Sequence, residues 1–385
     1  MTEAQRATVA IEAARGELIA LSHFVHEHPE LGYQEFASAA AVAAAAESAG
    51  FSVERDAADL PTAFRATSGS GALHLVFCAE YDALPDVGHA CGHNIIAAAS
   101  LGAALGLAEV ADDLDLTVTL LGTPSEEGGG GKIDLLDAGY FDDAHAAMMI
   151  HPFPTERLEA TCLAVDHFDV IFTGKAAHAS AAPWEGLNAL DALTISQVAL
   201  ALLRQQLRPG DQIHGIVTEG GSAANIITSR AAGRFMARAT TLERLAELRQ
   251  RVNACFEAGA LATGTALEIV ELGHPFSHMV SDPGILAHYR DAAEALGRDF
   301  HLDDDGAAKP TISTDMANVS LVVPTIHPLL MIPTNGAVNH QPAFTAACVT
   351  PAADQAVVDG AIALATTAVA VAKDPALRDR LMSRP

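Results

Sequence analysis

Three short apolar runs, residues 72–79 (ALHLVFCA), 116–122 (LTVTLLG) and 144–150 (AHAAMMI), constrain the fold of this chain more than any other feature. Each is short and predominantly apolar, and runs of that kind are the mark of strands buried on both faces. A helix-like apolar segment at 94–110 separates the first two. Helix-spaced segments at 4–26 and 36–48 precede them, the second rich in alanine and stopped by Gly50. Strands that alternate with helices need crossover connections, so the expected class is α/β, a mostly parallel sheet with helices on both faces. With 385 residues, half of them apolar, the chain can bury a large core.

Beyond about residue 165 the pattern changes. It reads strand 167–173, helix 188–207, strand 212–218, strand 231–239, helix 242–258, strand 265–272. That order is β-α-β-β-α-β, the ferredoxin-like α+β arrangement. Two domains are therefore expected: a discontinuous one, 1–165 with 282–385, and an inserted one, 166–281. An acidic loop is expected at Asp303 to Asp305, and the last dozen residues are expected to fray.

Lys and Arg number 22 against 48 Asp and Glu, a net charge of −26 that repels nucleic acid and anionic membrane surfaces. The five cysteines are odd in number and scattered, which argues for a reducing compartment over a disulfide framework. No apolar leader opens the sequence, and Gly, Pro, Asp or Glu interrupt the apolar stretches before a spanning length is reached. A cytoplasmic location with no membrane segment is the expectation.

Each buried run ends in residues that can hold a metal. The first leads to Gly88-His89-Ala90-Cys91-Gly92-His93-Asn94, where one glycine between a thiol and an imidazole lets both reach one cation. Alone, that pair is more often a packed cysteine beside a structural histidine. The second run ends at Thr123-Pro124-Ser125-Glu126-Glu127 and the third at His151-Pro152. Ligands of open α/β sheets gather beyond the carboxyl ends of the strands, so the three clusters can meet in one crevice. Adjacent carboxylates point in different directions, so one of Glu126 and Glu127 can hold metal while the other moves a proton. Near the end of the chain, Ala337-Val338-Asn339-His340-Gln341-Pro342 adds a histidine in a polar turn. Cys91, His93, Glu127, His151 and His340 together offer one soft and four harder donors, enough for two divalent ions if one group bridges. The run Gly128 to Lys132 (GGGGK) is half of a phosphate-binding loop. Ile133 stands where Ser or Thr is needed, and two carboxylates precede it, so no nucleotide site is expected there.

EYDALPDVGHACGHN, TPSEEGGGGK, GKAAHASAAPWEG and AVNHQP together resemble the metallopeptidase M20 family, in its amidohydrolase branch with a cysteine ligand. Within the branch, EYDALP with CGHN, and STDMANVSLVVPTIHP, are similar to the group of M20 domain-containing protein 2 and p-aminobenzoyl-glutamate hydrolase-like enzymes. The resemblance implies a Zn-peptidase-like catalytic domain carrying an inserted lid and dimerisation domain. It implies that Cys91, His93, Glu127, His151 and His340 hold two divalent ions, Zn or Mn, and that Glu126 is the general base. It further implies a homodimer in which His178 (GKAAHAS) polarises the scissile carbonyl in the other subunit, with Asn225 and Arg238 binding the carboxylate end of the substrate. Asp82 sits where related enzymes place a carboxylate near the metals. Glu80 stands where the wider family has a ligand histidine, and both acids are candidates for the surroundings of the ligands. Asn94 replaces the Asp of many members of the branch, and the most similar group shares it. The implied activity is metal-dependent hydrolysis of an amide bond in a small N-acyl amino acid or dipeptide. Aminoacyl or p-aminobenzoyl-glutamate hydrolysis, β-alanyl dipeptide hydrolysis and a non-catalytic metal- or peptide-binding homologue stand as alternatives.

Overall fold

The computed structural model describes residues 1–383 and divides the chain into two compact units, Met1–Thr161 with the chain from Met279 onward, and Cys162–His278. The second unit opens before residue 166 because its first strand already begins at Ala164.

In the first unit a six-stranded sheet runs in the order Ser52–Arg55, Phe64–Gly69, Leu116–Gly122, Leu73–Ala79, Ala146–Met148, Thr325–Ile326. Leu73–Ala79 pairs in parallel with Leu116–Gly122 on one side and with Ala146–Met148 on the other. Every residue of Leu73–Ala79 is buried, as expected of a central strand covered on both faces, and His74 Nε2 meets Thr119 Oγ1 at 2.8 Å. Each fully buried side chain among Leu75, Val76 and Phe77 contributes about 1.5–3 kcal/mol. The antiparallel pair Ser52–Arg55 and Phe64–Gly69, of which only Phe64–Gly69 runs against the other strands, was not expected from the sequence. Its segments SVER and FRATSG are short and half polar. Of the apolar run 144–150, only Ala146–Met148 joins this sheet, and His151–Phe153 instead pairs with Leu329–Met331.

The helix His93–Ala108 is buried along nearly its whole length, packed by Glu3–Glu27 and Pro351–Lys373. Contact between the three helices is close because the sequence supplies small residues. A Cβ at Gly102 would lie 2.8 Å from Ala361 Cβ, and one at Gly106 would lie 2.6 Å from Ile11 Cδ1. Pro351–Lys373 corrects the reading that no segment reaches a spanning length, since it is long and apolar enough by length and composition to cross a membrane. Most of that helix is buried in the unit, with Val357, Val358, Leu364 and Val371 in the core.

Two further expectations fail. Residues 301–304 form a short helix, and Asp303 accepts hydrogen bonds from Arg157 Nε and the Leu158 amide, each at 2.7 Å. The chain end does not fray up to residue 383. Asp374 caps the helix Pro375–Met382 by accepting from the Ala376 and Leu377 amides, and Leu377 and Leu381 are buried. The remainder of that expectation lies outside the described residues.

The second unit is a four-stranded antiparallel sheet ordered Ala266–Glu271, Ala164–Thr173, Arg230–Ala239, Gln212–Glu219. With the helices Ala189–Leu203 and Leu242–Thr263 this is the β-α-β-β-α-β order. The first helix stops short of residue 207, and a 3-10 turn, Arg204–Gln206, follows it. Alternate residues Phe168, Val170 and Phe172 face a core in which the rings of Phe168, Phe235 and Phe256 meet at 4.8–6.1 Å between centroids.

At the carboxyl end of Leu116–Gly122 the chain makes a strained turn at Ser125, whose φ is +57°. Glu35, fully buried, holds that turn by accepting the Ser125 amide at 2.8 Å. The glycines that follow are required by packing. A Cβ at Gly129 would lie 2.2 Å from the Tyr33 ring, and one at Gly131 would lie 2.1 Å from Pro124 O. Burial, with the charge of Asp82 as the next cause, pushes the Glu35 carboxyl up to about 7. A carboxyl raised in the folded state adds stability that is complete below its unfolded pKa and is lost as pH climbs through its folded one. Relative to Glu35→Gln, the wild-type chain should therefore lose on the order of 3 kcal/mol between about pH 4.5 and 7. Denaturant melts of the two proteins across that range check this, and parallel pH profiles would contradict it.

Candidate metal centre

The site is assembled where the two central parallel strands end. Leu73–Ala79 runs directly into Glu80, Tyr81 and Asp82, all buried, and Leu116–Gly122 into Glu126 and Glu127. Gly92, at φ +75°, sets Cys91 and His93 on the turn that opens the helix. Pro152 packs against it so closely that a Cβ there would lie 2.9 Å from the ring, which brings His151 alongside. The late loop is drawn in by backbone: His340, at φ +70°, donates its amide to Ala90 O at 3.0 Å, and the Asn339 side chain donates to Pro152 O at 3.3 Å.

Three groups of potential donors result, the donor atoms of each lying within 4.8 Å of one another: Cys91, His93 and His151; Cys91, Glu127 and His340; and Glu80, His93 and Glu126. Cys91 belongs to two of them and His93 to two. Asp82 organises the middle of the cluster. His93 Nδ1 is 2.8 Å from Asp82 O and 3.0 Å from its carboxylate Oδ1, while Oδ2 accepts the Glu127 amide at 2.9 Å. His151 Nδ1 likewise donates to Pro152 O at 2.8 Å. Both rings are thereby fixed through Nδ1 with Nε2 left to the cluster, the arrangement that orients metal-binding histidines. His340 is exposed, and its Nε2 lies 3.6 Å from Glu127 Oε2.

The fit to cations rests on what the protein leaves unsatisfied. Glu80 Oε2, His93 Nε2 and Glu127 Oε1 are buried without a hydrogen-bond partner. Buried polar atoms in that state cost about 1–3 kcal/mol each, and three facing one cluster fit divalent ions. A thiol with imidazoles suits zinc, and the carboxylates suit zinc or manganese.

Burial dominates the electrostatics. It raises Glu126 well above the usual carboxylate range, with the charges of Glu80 and Glu127 adding to it, and it raises Glu127 against the pull of His93. Burial and then Glu127 push the Cys91 thiol up as well, so its ionisation depends on a cation. Burial would also raise Glu80, but the Lys132 ammonium and His93 outweigh it and hold that carboxyl below its ordinary value. His151 is pushed down to about 3 by burial and then by neighbouring His327, which keeps it neutral and able to coordinate.

Lys132, Asp315 and His327 were not picked out from the sequence as parts of a site. Lys132 sits at the end of the glycine run with its Nζ between Glu80 Oε1 at 2.5 Å and Asp315 Oδ1 at 2.7 Å, all three side chains fully buried. The ring of His327 is 5.4 Å from that of His151, and both its nitrogens are buried without partners. The remaining candidates lie in the second unit. His178 and Asn225 are exposed on neighbouring loops joined by the bond from the Ala179 amide to Asn225 O at 3.0 Å. Arg238 lies half-buried on Arg230–Ala239, its Nε 3.2 Å from Met236 Sδ.

Known proteins bear on this geometry. Residues 76–359 match Peptidase family M20/M25/M40. A Xaa-Arg dipeptidase of Mus musculus is 39% identical over 388 residues, covering 97% of this chain and 90% of its own length. A p-aminobenzoyl-glutamate hydrolase chain of Escherichia coli is 33% identical over 280 residues, 67% of this chain and 58% of that one. Among solved structures, an aminobenzoyl-glutamate utilization protein from Klebsiella pneumoniae shares the fold with a TM-score of 0.71 at 19% identity, covering 92% of this chain and 96% of its own. A dinuclear metal-binding peptidase of family M20 from Bacillus subtilis does so with a TM-score of 0.68 at 20% identity, covering 93% and 99%. A match over most of the sequence, and a relative that aligns along nearly all of it, establish that the chain belongs to peptidase family M20/M25/M40.

Proposed function

We propose that the chain hydrolyses the amide bond of a small dipeptide with a basic carboxyl-terminal residue, using two divalent ions held by Cys91, His93, Glu127, His151 and His340. The observation that carries this reading is the sharing of Cys91 and His93 among three donor groups, with Glu126 beside them. When bound, the ions supply the Lewis acidity that polarises an amide carbonyl and acidifies a water molecule. Zinc is favoured by the thiolate of Cys91, with manganese as the second choice. Glu126 takes the proton of the attacking water and passes it to the departing amine nitrogen. Its burial beside the donor groups suits that exchange. Asp82 keeps His93 oriented.

His178 accepts the amides of Ser180 and Ala181 at Nδ1, at 3.3 and 3.2 Å, which leaves Nε2 as the ring's donor. That donor suits a developing oxyanion, and we assign it to the site of a second copy, with Asn225 and Arg238 holding the substrate carboxylate. A homodimer is supported by the apolar residues left on the surface of the second unit. Ile216 on the edge strand Gln212–Glu219 is 64% exposed, and Val198 and Leu202 on the helix Ala189–Leu203 are 57% and 67% exposed. All five cysteines are free, which supports the reducing cytoplasmic setting. The basic substrate is supported by the Xaa-Arg dipeptidase relative, and the charge of −26 would draw cationic substrates toward the protein.

Glu126→Gln should retain its metal in elemental analysis while kcat falls by about a thousandfold; near-normal turnover would remove Glu126 from its role. Across a panel with zinc or manganese, kcat/KM should be at least about tenfold higher for dipeptides ending in Arg or Lys than for p-aminobenzoyl-glutamate or acetylated amino acids. The reverse ranking would reassign the substrate. Ile216→Glu combined with Val198→Asp should yield a monomer by light scattering, with turnover reduced about a hundredfold for want of the His178 donor. A fully active monomer would rule out the shared site.

A further inference from the structure

The lysine that ends the glycine run has no role in the mechanism above, yet it is among the most completely buried charges in the first unit. Its Nζ lies 2.5 Å from Glu80 Oε1 and 2.7 Å from Asp315 Oδ1, and its amide donates to Asp315 Oδ2 at 2.9 Å. Asp315 therefore grips Lys132 by main chain and side chain at once, and Lys132 in turn occupies one oxygen of Glu80. The other oxygen is committed by this clamp to a single direction.

That oxygen, Oε2, is buried without a hydrogen-bond partner and lies 3.4 Å from His93 Nε2, itself buried and without one. His93 cannot swing away to relieve the contact, because Asp82 holds Nδ1. Two donors on one cation, each about 2.1 Å from it at a near-tetrahedral angle, stand about 3.4 Å apart. Charge points the same way. Two divalent ions bring four positive charges, the Cys91 thiolate and the Glu127 carboxylate offset two, and Glu80 would offset a third.

We infer that Glu80 is a further donor of the metal centre, contacting the ion on the His93 side through Oε2, and that Lys132 and Asp315 are the positioning residues that aim it. The inference rests on the metal-centre reading above and adds an acidic residue to its five ligands. In this view the GGGGK run binds no phosphate. Its glycines let the backbone pass against Tyr33 and Pro124, so that the lysine turns inward beneath the strand ends.

The test is metal binding, independent of turnover. Wild-type protein, Glu80→Gln, Cys91→Ala, Lys132→Met and the double variant Glu80→Gln with Lys132→Met are stripped with chelator and titrated with zinc and with manganese against a chromophoric competitor. Glu80→Gln is isosteric and keeps an oxygen for Lys132. It should weaken one of two ions by about 10- to 100-fold and leave the other unchanged. Lys132→Met should weaken the same ion and add nothing once Glu80 is replaced, whereas additive losses would overturn the aiming role. Wild-type affinities in Glu80→Gln, with Cys91→Ala impaired, would overturn the inference alone. If Cys91→Ala is also unimpaired, the metal-centre reading itself fails. Should a variant not fold, a crystal structure of the metal-loaded wild-type protein decides. Glu80 Oε2 at a bonding distance of about 2.0–2.2 Å from an ion supports the inference, and a carboxylate turned away from both ions overturns it.

Discussion

One buried carboxylate ties the two central strands of the first unit into a site. Asp82 follows the strand Leu73–Ala79, holds the ring of His93 through Nδ1, and accepts the amide of Glu127 from the end of the neighbouring strand. Burial works against its charge, and His93 together with the Glu127 amide outweighs that penalty, leaving the Asp82 carboxyl below its ordinary range. With that group in place, His93 presents only Nε2 and the Glu126–Glu127 turn is held at Glu127. Gly92 and Pro152 then decide where Cys91 and His151 fall.

The same region concentrates carboxylates that burial alone would neutralise. Glu80, Asp82, Glu126, Glu127 and Asp315 share it with a single lysine, and Lys132 compensates only Glu80 and Asp315 directly. The negative charge left over, facing lone pairs with no hydrogen-bond partner, is the condition under which divalent cations bind most firmly. Metal binding and correct packing of these strand ends are thus two aspects of one balance.

Much of this was legible in the sequence because every donor candidate but His340 follows an apolar run. Strands at 73–79 and 116–122 fall within a residue of the stretches read from the sequence; Cys91 and His93 follow the first, Glu126 and Glu127 the second, and His151 follows the third apolar run, 144–150. His340 was visible only as a histidine in a polar turn, and its place depends on one backbone hydrogen bond to Ala90. Lys132 was weighed only as part of a phosphate-binding loop and set aside with it. Its burial comes from Asp315, 183 residues further along, and no local pattern carries that. Asp315 and His327 follow no long apolar strand and stayed hidden for the same reason. In the second unit, the exposure of His178 and Asn225 gives neither a geometric mark of function, and only the family resemblance singled them out.

If these side chains are gathered in order to hold two cations, the native chain should carry both. Elemental analysis of protein purified without added chelator and dialysed against metal-free buffer reads that number without any assay of substrate. Two equivalents of zinc or manganese per chain are expected, released together with activity. One equivalent or none in fully folded, active protein would refute the two-ion centre.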